Sequence, residues 1–132
     1  MSAETSTEVS KGALWGGRVM SAIPVLFMLM GVVMILFNPD QVREGMENYG
    51  YPEGVAVPIV IVEFVCVVLY LIPQTAVLGA ILLTGYLGGA VATHVHADEA
   101  FILPAAVGVL IWGGLFLRDR RIRALIPLRR KA

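Results

Sequence analysis

Four long apolar runs, each bounded by polar or helix-breaking residues, set the pattern of the chain. They cover residues 14–37, 54–72, 76–95 and 101–117. At about 1.5 Å per residue, helices of such length approach or exceed the hydrocarbon core of a bilayer, which is about 30 Å thick. The runs lack the alternation of apolar and polar residues that is typical of a membrane-barrel strand. The pattern therefore predicts an all-α protein, folded as an antiparallel transmembrane four-helix bundle.

Prolines and short polar turns predict where these helices end. The first run should end at Asn38, because the residue before a proline avoids the helical region. The turn over residues 72–75 is so short that the second and third spans must form an antiparallel hairpin. Pro24 lies inside the first span and should kink it, with neighbouring helices accommodating the freed carbonyl.

Composition supports a membrane location. Hydrophobic residues make up 58% of the 132 residues and charged residues 15%, against roughly 45–50% and about 25% in soluble domains. Such a composition excludes an intrinsically disordered chain. The 10 basic and 10 acidic residues balance, so the chain has no bulk attraction to nucleic acid. The single cysteine, Cys66, excludes a disulfide framework and a paired-cysteine redox motif.

The distribution of basic residues predicts the orientation. They concentrate after the last span, at Arg118, Arg120, Arg121, Arg123, Arg129, Arg130 and Lys131. The segment 38–53 between the first two spans carries only Arg43. Both termini are therefore expected in the cytoplasm. The predicted organisation is a polar cytoplasmic tail over 1–13, a membrane domain over 14–117 and a basic cytoplasmic tail over 118–132. An anionic-lipid or nucleic-acid site is the less favoured interpretation of the basic tail, because topology alone accounts for it.

Glu63 is the most informative polar residue, because it lies near the middle of the second span. An acidic side chain at that depth costs a few kcal/mol, so it should face the bundle interior and be paired or protonated. Arg18 of the first span is predicted to lie about 7–8 Å away in depth, within reach of two extended side chains. Thr84 and Tyr86 of the third span lie near the same depth and are placed to hydrogen-bond to Glu63. A proton or ligand site and a purely structural Glu63–Arg18 bond both fit this pattern.

His94 lies one turn inside the outer end of the third span. His96, two positions later, points to the opposite side of the helix. His94 is a candidate proton carrier, haem or metal ligand, or donor to a quinone carbonyl, and a histidine satisfied by the adjacent loop is the alternative. Tyr49 and Tyr51 precede the second span and are placed to close over His94 with apolar rings and polar tips.

The third span also carries a row of small residues. Gly85 and Gly89 form one pair at the spacing that lets helix backbones approach in lipid, and Gly88 and Ala92 form another. Packing inside one four-helix bundle is the favoured interpretation, because this span is central in the hairpin order. A dimer interface is the alternative.

These residues resemble the DoxX-like family of small membrane proteins. The resemblance rests on the segment 49–54, on Glu63 in a span that closes at 71–73, on the segment 78–94, on Arg18, and on the closing segment 112–119. It covers about residues 14–127 and implies a four-helix protein of the bacterial inner membrane. The family takes its name from a subunit of a thiosulfate:quinone oxidoreductase. Its wider relatives include membrane proteins linked to redox stress and others that assist the assembly of partners.

Two functions follow from the residues and the resemblance together. The first is a redox-associated accessory subunit that binds a quinone or similar apolar ligand inside the bundle, at Glu63, Arg18, His94, Thr84, Tyr86 and Tyr51. The second is a non-enzymatic membrane interaction or assembly protein, in which a structural Glu63–Arg18 pair sets helix register. Transport by an oligomer is a weaker third hypothesis.

No residue of the sequence is assigned to catalysis or to a metal. The chain lacks zinc-ligand spacing, a phosphate-binding loop and a nucleophile elbow, and nothing in it matches a thiosulfate site. We therefore expect that it is not an enzyme on its own. The expected partners are the lipid bilayer, membrane or redox proteins and further copies of the chain, with no nucleic acid.

Overall fold

The computed structural model describes residues 8–129 and, within them, consists of helices and connecting turns without a strand. The helices are α1 (Lys11–Phe37), α2 (Pro39–Asn48), α3 (Ala56–Leu71), α4 (Ala76–His96), α5 (Ile102–Arg118) and α6 (Arg120–Leu125), with a 3₁₀ turn over Pro73–Thr75. The all-α class predicted from the sequence is confirmed. Residues 1–7 of the predicted amino-terminal tail and residues 130–132 of the basic tail lie outside the described residues.

The ends of the apolar helices follow local backbone chemistry. Ser10 begins α1, because its hydroxyl accepts a hydrogen bond from the Ala13 amide at 3.2 Å. Gly54 has a φ of +84°, so α3 begins only after it. Ile72 has an extended backbone with ψ at 120°, as the following proline requires, and α3 ends there. α1 continues through the buried Pro24, and a kink at that residue stays a prediction.

Two further helices lie in segments that the sequence analysis treated only as a loop and a tail. Between α1 and α3, α2 has a proline at its start and Asp40 in its first turn, both of which favour a helix amino terminus. After α5, the side chain of Asp119 accepts a hydrogen bond from the Arg121 amide at 2.9 Å and begins α6. Ile122 of α6 is buried against the rest of the protein.

The four apolar helices surround a common core. α1 packs on α3 and α5, and α4 packs on the same two helices from the other side. The core between them is formed by residues such as Met28, Val67, Leu83 and Ile111. The outward faces are also apolar, with large exposed side chains that include Leu36, Ile61 and Val109. Such faces suit contact with lipid.

Close backbone approaches and one polar link fix the helices at the end where the Pro73–Thr75 turn lies. A Cβ atom at Gly79 would come within 2.6 Å of the Tyr70 Cα, and one at Gly17 within 2.9 Å of the Gly114 carbonyl oxygen. The Tyr70 hydroxyl donates to the Ile111 carbonyl oxygen at 2.7 Å, so the Ser21 hydroxyl, 2.8 Å away, donates to Tyr70. This pair of bonds joins α1, α3 and α5.

Contrary to the prediction from the sequence, the row of small residues on α4 does not pack against other helices of the bundle. A Cβ atom at Gly85, Gly88 or Gly89 would meet nothing within 4 Å. The prediction that these glycines pack against other helices inside one bundle is therefore wrong. The glycine that does bring α4 against another helix is Gly79, near the start of α4, because it lies on the face that meets α3.

Candidate functional site

Glu63 lies at the centre of α3 and is only 8% exposed. Its carboxylate faces α1 at Gly31, where a Cβ atom would come within 3.3 Å of Oε2 and 3.7 Å of Oε1. Because Gly31 has no side chain, the space beside the α1 backbone is available to the carboxylate. Gly31 was not predictable as part of the site, since a glycine within an apolar run gives no signal of what it faces.

The predicted pair between Glu63 and Arg18 is wrong. Arg18 is exposed, and the ion pairs among residues 8–129 join Arg43 to Asp40 and Arg121 to Asp119. Glu63 lies beside Gly31, which is about 20 Å further along α1 than Arg18. The predicted depths of Arg18 and Glu63 were counted from the ends of the apolar runs. The level of Glu63 relative to α1 is instead set by the packing of α3 on α1.

Tyr86 of α4 is the polar neighbour of Glu63. Its phenol lies beside the carboxylate, as the sequence predicted for this position. A phenol is a neutral hydrogen-bond donor and acceptor, so it can accompany either the ionised or the protonated carboxyl group.

A cavity of about 210 Å³ extends from Glu63 to His94. Its polar side chains are Glu63, Tyr86 and His94. Its apolar walls come from Phe27, Met28, Leu87, Ala90, Leu103, Pro104 and Val107. The structure thus brings three of the predicted site residues to one partly open, mainly apolar space between the helices.

A second cavity, of about 310 Å³, lies against the same row of α4. Tyr86, Ala90 and His94 line both cavities, at successive turns of the helix. The second cavity is completed by Met46, Tyr49, Tyr51, Ile59, Gly85, Gly89 and Thr93. Gly85 and Gly89, which meet no other helix, therefore provide space beside the two tyrosines.

His94 is half-buried and hydrogen-bonded to its own helix. Its Nδ1 lies 2.7 Å from the Ala90 carbonyl oxygen, and its ring lies 5.6 Å from the Tyr49 ring, tilted by 42°. A carbonyl can only accept, so we assign the proton to Nδ1, which leaves Nε2 as an acceptor. His96 is exposed. His94 thus contacts the loop before α3 and lines the cavity that contains Glu63.

Two hydrogen bonds attach the loop before α3 to the end of α4 and to the loop that follows it. The Thr93 hydroxyl donates to the Gly89 carbonyl oxygen at 2.9 Å, so the Tyr51 hydroxyl donates to Thr93 at 2.6 Å. The Tyr49 hydroxyl donates to Glu99 Oε2 at 2.7 Å. This bond to Glu99, with burial and the charge of Glu99 as smaller causes, raises the pKa of Tyr49 above its ordinary value. The sequence predicted both tyrosines near His94, but it carries no signal for their partners Thr93 and Glu99.

Thr84 lies away from Glu63, on another face of α4. It donates to the Ala80 carbonyl oxygen at 2.8 Å and accepts from Trp112 Nε1 at 2.7 Å. It lines a separate apolar groove of about 570 Å³ between α4 and α5. Thr84 and Tyr86 are two positions apart and so point to nearly opposite sides of the helix. The structure therefore does not bring Thr84 to the other predicted residues.

The chemistry available in the cavity is that of a carboxyl group, a phenol and an imidazole. Within residues 8–129, no three histidine, cysteine, aspartate or glutamate side chains cluster closely enough to hold a metal ion. The three groups can donate hydrogen bonds to carbonyl oxygens, accept them from hydroxyl groups and exchange protons with either. Such a set suits a small, mainly apolar ligand with oxygen atoms at its edge.

Comparison with known proteins identifies the family. No curated protein and no solved structure matches the chain. The model of the DoxX-like family matches residues 19–114, a range that contains all the residues lining the cavity between Glu63 and His94. Arg18 lies just outside the matched range. The match covers most of the chain and confirms the resemblance seen in the sequence: the chain belongs to the DoxX-like family.

Proposed function

We propose that the protein is a multi-pass protein of the inner membrane, with α1, α3, α4 and α5 crossing the bilayer as an antiparallel bundle. Two segments, Lys11–Phe37 and Pro73–His96, have the length and hydropathy of membrane-spanning helices. The helices α3 and α5 are shorter, at 16 and 17 residues. They extend about 24–26 Å, somewhat less than the usual hydrocarbon core, which local thinning of the bilayer accommodates. The exposed apolar faces of the helices support the same proposal.

The proposed orientation places both termini in the cytoplasm, because arginines concentrate after α5. We expect a cysteine introduced at Asn48 to be labelled from the outer side by a membrane-impermeant reagent, in a Cys66→Ala background. A cysteine introduced at Arg129 is the matched control and should be labelled only after the membrane is permeabilised. Labelling of Arg129→Cys in intact cells would overturn the orientation.

We further propose that the cavity between Glu63 and His94 binds a quinone or a similar small apolar ligand, and that the protein is a redox-associated accessory subunit. The observation that carries this proposal is that Glu63, Tyr86 and His94 line one cavity whose other walls are apolar. A quinone ring is apolar on its faces and has carbonyl oxygens at opposite edges. Tyr86 and His94 lie about two turns apart on α4, with Glu63 near Tyr86, so hydrogen-bonding groups are available at separate places along such a ligand.

The proposed site differs from the one predicted from the sequence. It retains Glu63, Tyr86 and His94 as polar contacts and Tyr51 as part of the neighbouring cavity. It leaves out Arg18, which is exposed, and Thr84, which faces the groove between α4 and α5. The alternative of an interaction or assembly protein relied on a structural Glu63–Arg18 pair, and it loses that support.

Binding of a short-chain benzoquinone to the purified protein tests the ligand proposal. We expect Glu63→Gln and His94→Phe to weaken binding about tenfold or more, since each removes a hydrogen bond or charge in a desolvated site. The matched control is Thr84→Val, which removes a polar group from the same helix outside the cavity and should leave binding unchanged. Thermal unfolding checks that each variant is folded. Absence of binding by the wild-type protein, or equal affinities in all three variants, would reject the proposal.

A further inference from the structure

The end of the protein at the Pro73–Thr75 turn contains a cavity that the proposed quinone site does not use. It has a volume of about 440 Å³ and lies where α4 begins and α5 ends. Its charged residues are Arg118, Arg120, Arg121 and Asp119, and its apolar residues are Val9, Pro73, Ala76 and Leu115. Arg118 and Arg121 bring two guanidinium groups to this cavity, beside its apolar wall.

Arg118 is held at the wall of this cavity without a carboxylate partner. Its Nε donates to the Gly114 carbonyl oxygen at 3.2 Å, and its guanidinium carbon lies 5.5 Å from the centre of the Tyr70 ring. Its Nη2 is buried and has no hydrogen-bond acceptor among the described residues. A buried donor without an acceptor is costly, and Arg118 lines the cavity, so an oxyanion bound there would supply an acceptor.

The aspartate of the cavity is already engaged within the chain. Asp119 Oδ1 accepts from the Arg121 amide at 2.9 Å and lies 3.5 Å from Arg121 Nε. The Arg121 side chain is 91% exposed, so its guanidinium nitrogens remain accessible to a ligand. Asp119 therefore serves Arg121, and the described residues that line the cavity offer Arg118 no carboxylate, which favours an anion beside it.

We propose that this cavity binds the phosphate group of an anionic phospholipid. Guanidinium groups bind phosphate oxygens strongly and in pairs. The position at the ends of apolar helices is the level at which lipid headgroups lie, and basic pockets at that level bind anionic headgroups. The apolar wall suits the start of a lipid chain better than a fully hydrated ion. This inference rests on the proposed membrane location but not on the proposed quinone site.

Native mass spectrometry of the detergent-solubilised full chain tests the proposal by titration with phosphatidylglycerol or phosphatidylcholine. We expect phosphatidylglycerol to be preferred by the wild-type protein. Arg118→Gln and Arg121→Gln should each lower that preference roughly fivefold, the factor expected for one basic residue near an anionic surface. Arg129→Gln is the matched control, because it removes the same charge from the same tail outside the cavity, and it should retain the preference. Because Arg118 also supports Tyr70, Arg121→Gln provides the test if Arg118→Gln fails to fold.

Two outcomes would overturn the lipid assignment. Equal loss of preference in Arg121→Gln and Arg129→Gln would show that only the overall charge of the tail matters. Binding of inorganic phosphate at the same arginines without preference for phosphatidylglycerol would show a site for a free anion. Neither outcome depends on the labelling and quinone experiments, so failure here is distinguishable from failure of the proposed function.

Discussion

The Glu63 carboxylate lies against the backbone of α1 at Gly31, where a Cβ atom would come within 3.3 Å of Oε2. Alanine at this position would push the carboxylate toward the cavity. We expect Gly31→Ala to lack the gain of about 0.5–1 kcal/mol that replacing a helical glycine by alanine normally gives. Gly16→Ala, further inside the same helix and with only an ordinary contact at 3.5 Å to Leu117, should show the gain. Chemical unfolding in detergent measures both, and the deficit of Gly31→Ala should disappear in a Glu63→Ala background.

Glu63 and Arg18 should contribute independently to stability, because the structure does not pair them. We expect the losses of unfolding free energy in Glu63→Ala and Arg18→Ala to add within about 0.3–0.5 kcal/mol. Arg18→Ala alone should change stability by no more than about 0.5 kcal/mol, as for most exposed residues. A double-mutant cycle in detergent measures the coupling. A coupling free energy of several kcal/mol would contradict this prediction and would support the ion pair that the sequence suggested.

Two glycines of α4 should respond in opposite ways to the same substitution. Gly79→Ala places a Cβ atom within 2.6 Å of the Tyr70 Cα, so α3 and α4 must separate. We expect a loss of about 1–3 kcal/mol or more from overpacking. Gly85→Ala meets nothing within 4 Å and should be neutral or stabilising in the monomer. If Gly85→Ala were instead the more damaging change under oligomer-forming conditions, the small-residue row would be an interface between copies.

The bond from Tyr49 to Glu99 should make part of the stability depend on alkaline pH. The pKa of Tyr49 is raised in the folded protein, so folding favours the neutral phenol. The contribution is therefore complete below about pH 10, the ordinary pKa of tyrosine, and is lost as the pH rises through the raised value. We expect wild-type protein to be more stable than Tyr49→Phe near neutral pH, with the difference declining above about pH 10. Thermal unfolding across this range, with Glu99→Gln as the control for the shift, measures the effect.

The helices and part of the site were predictable because their signals are local. Apolar runs bounded by Asn38-Pro39 and by the turn at Pro73 marked the helices, which end where those residues require. Glu63 and His94 stood out because polar side chains are rare in apolar spans. Their common cavity follows from the packing of α3 on α4, two helices that the short turn makes neighbours.

The remaining features depend on rotation and depth, which a single sequence specifies poorly. The depths of Arg18 and Glu63 were predicted from their distances to the ends of their spans. This prediction was wrong by a few helical turns, so Arg18 was placed beside the wrong part of α3. Thr84 lies at a suitable depth, but it is on the face of α4 that points away from Glu63. The spacing of Gly85 and Gly89 indicates a flat surface without indicating what covers it. The helix α2 did have a signal, the proline and aspartate at its start, but it lacks an apolar run.

The bonds from Ser21 to Tyr70 and from Tyr70 to Ile111 have a mechanical consequence. Apolar packing alone does not distinguish neighbouring helices from lipid tails, so sliding between helices is resisted mainly by such polar links and by close backbone contact. Both are concentrated near the Pro73–Thr75 turn, whereas the opposite end is joined through single hydroxyl bonds of Tyr49 and Tyr51. The two ends of the molecule therefore differ in stiffness. We expect hydrogen exchange to be faster at the end that contains His94, where a ligand could enter, than at the end where Ser21, Tyr70 and Ile111 are joined.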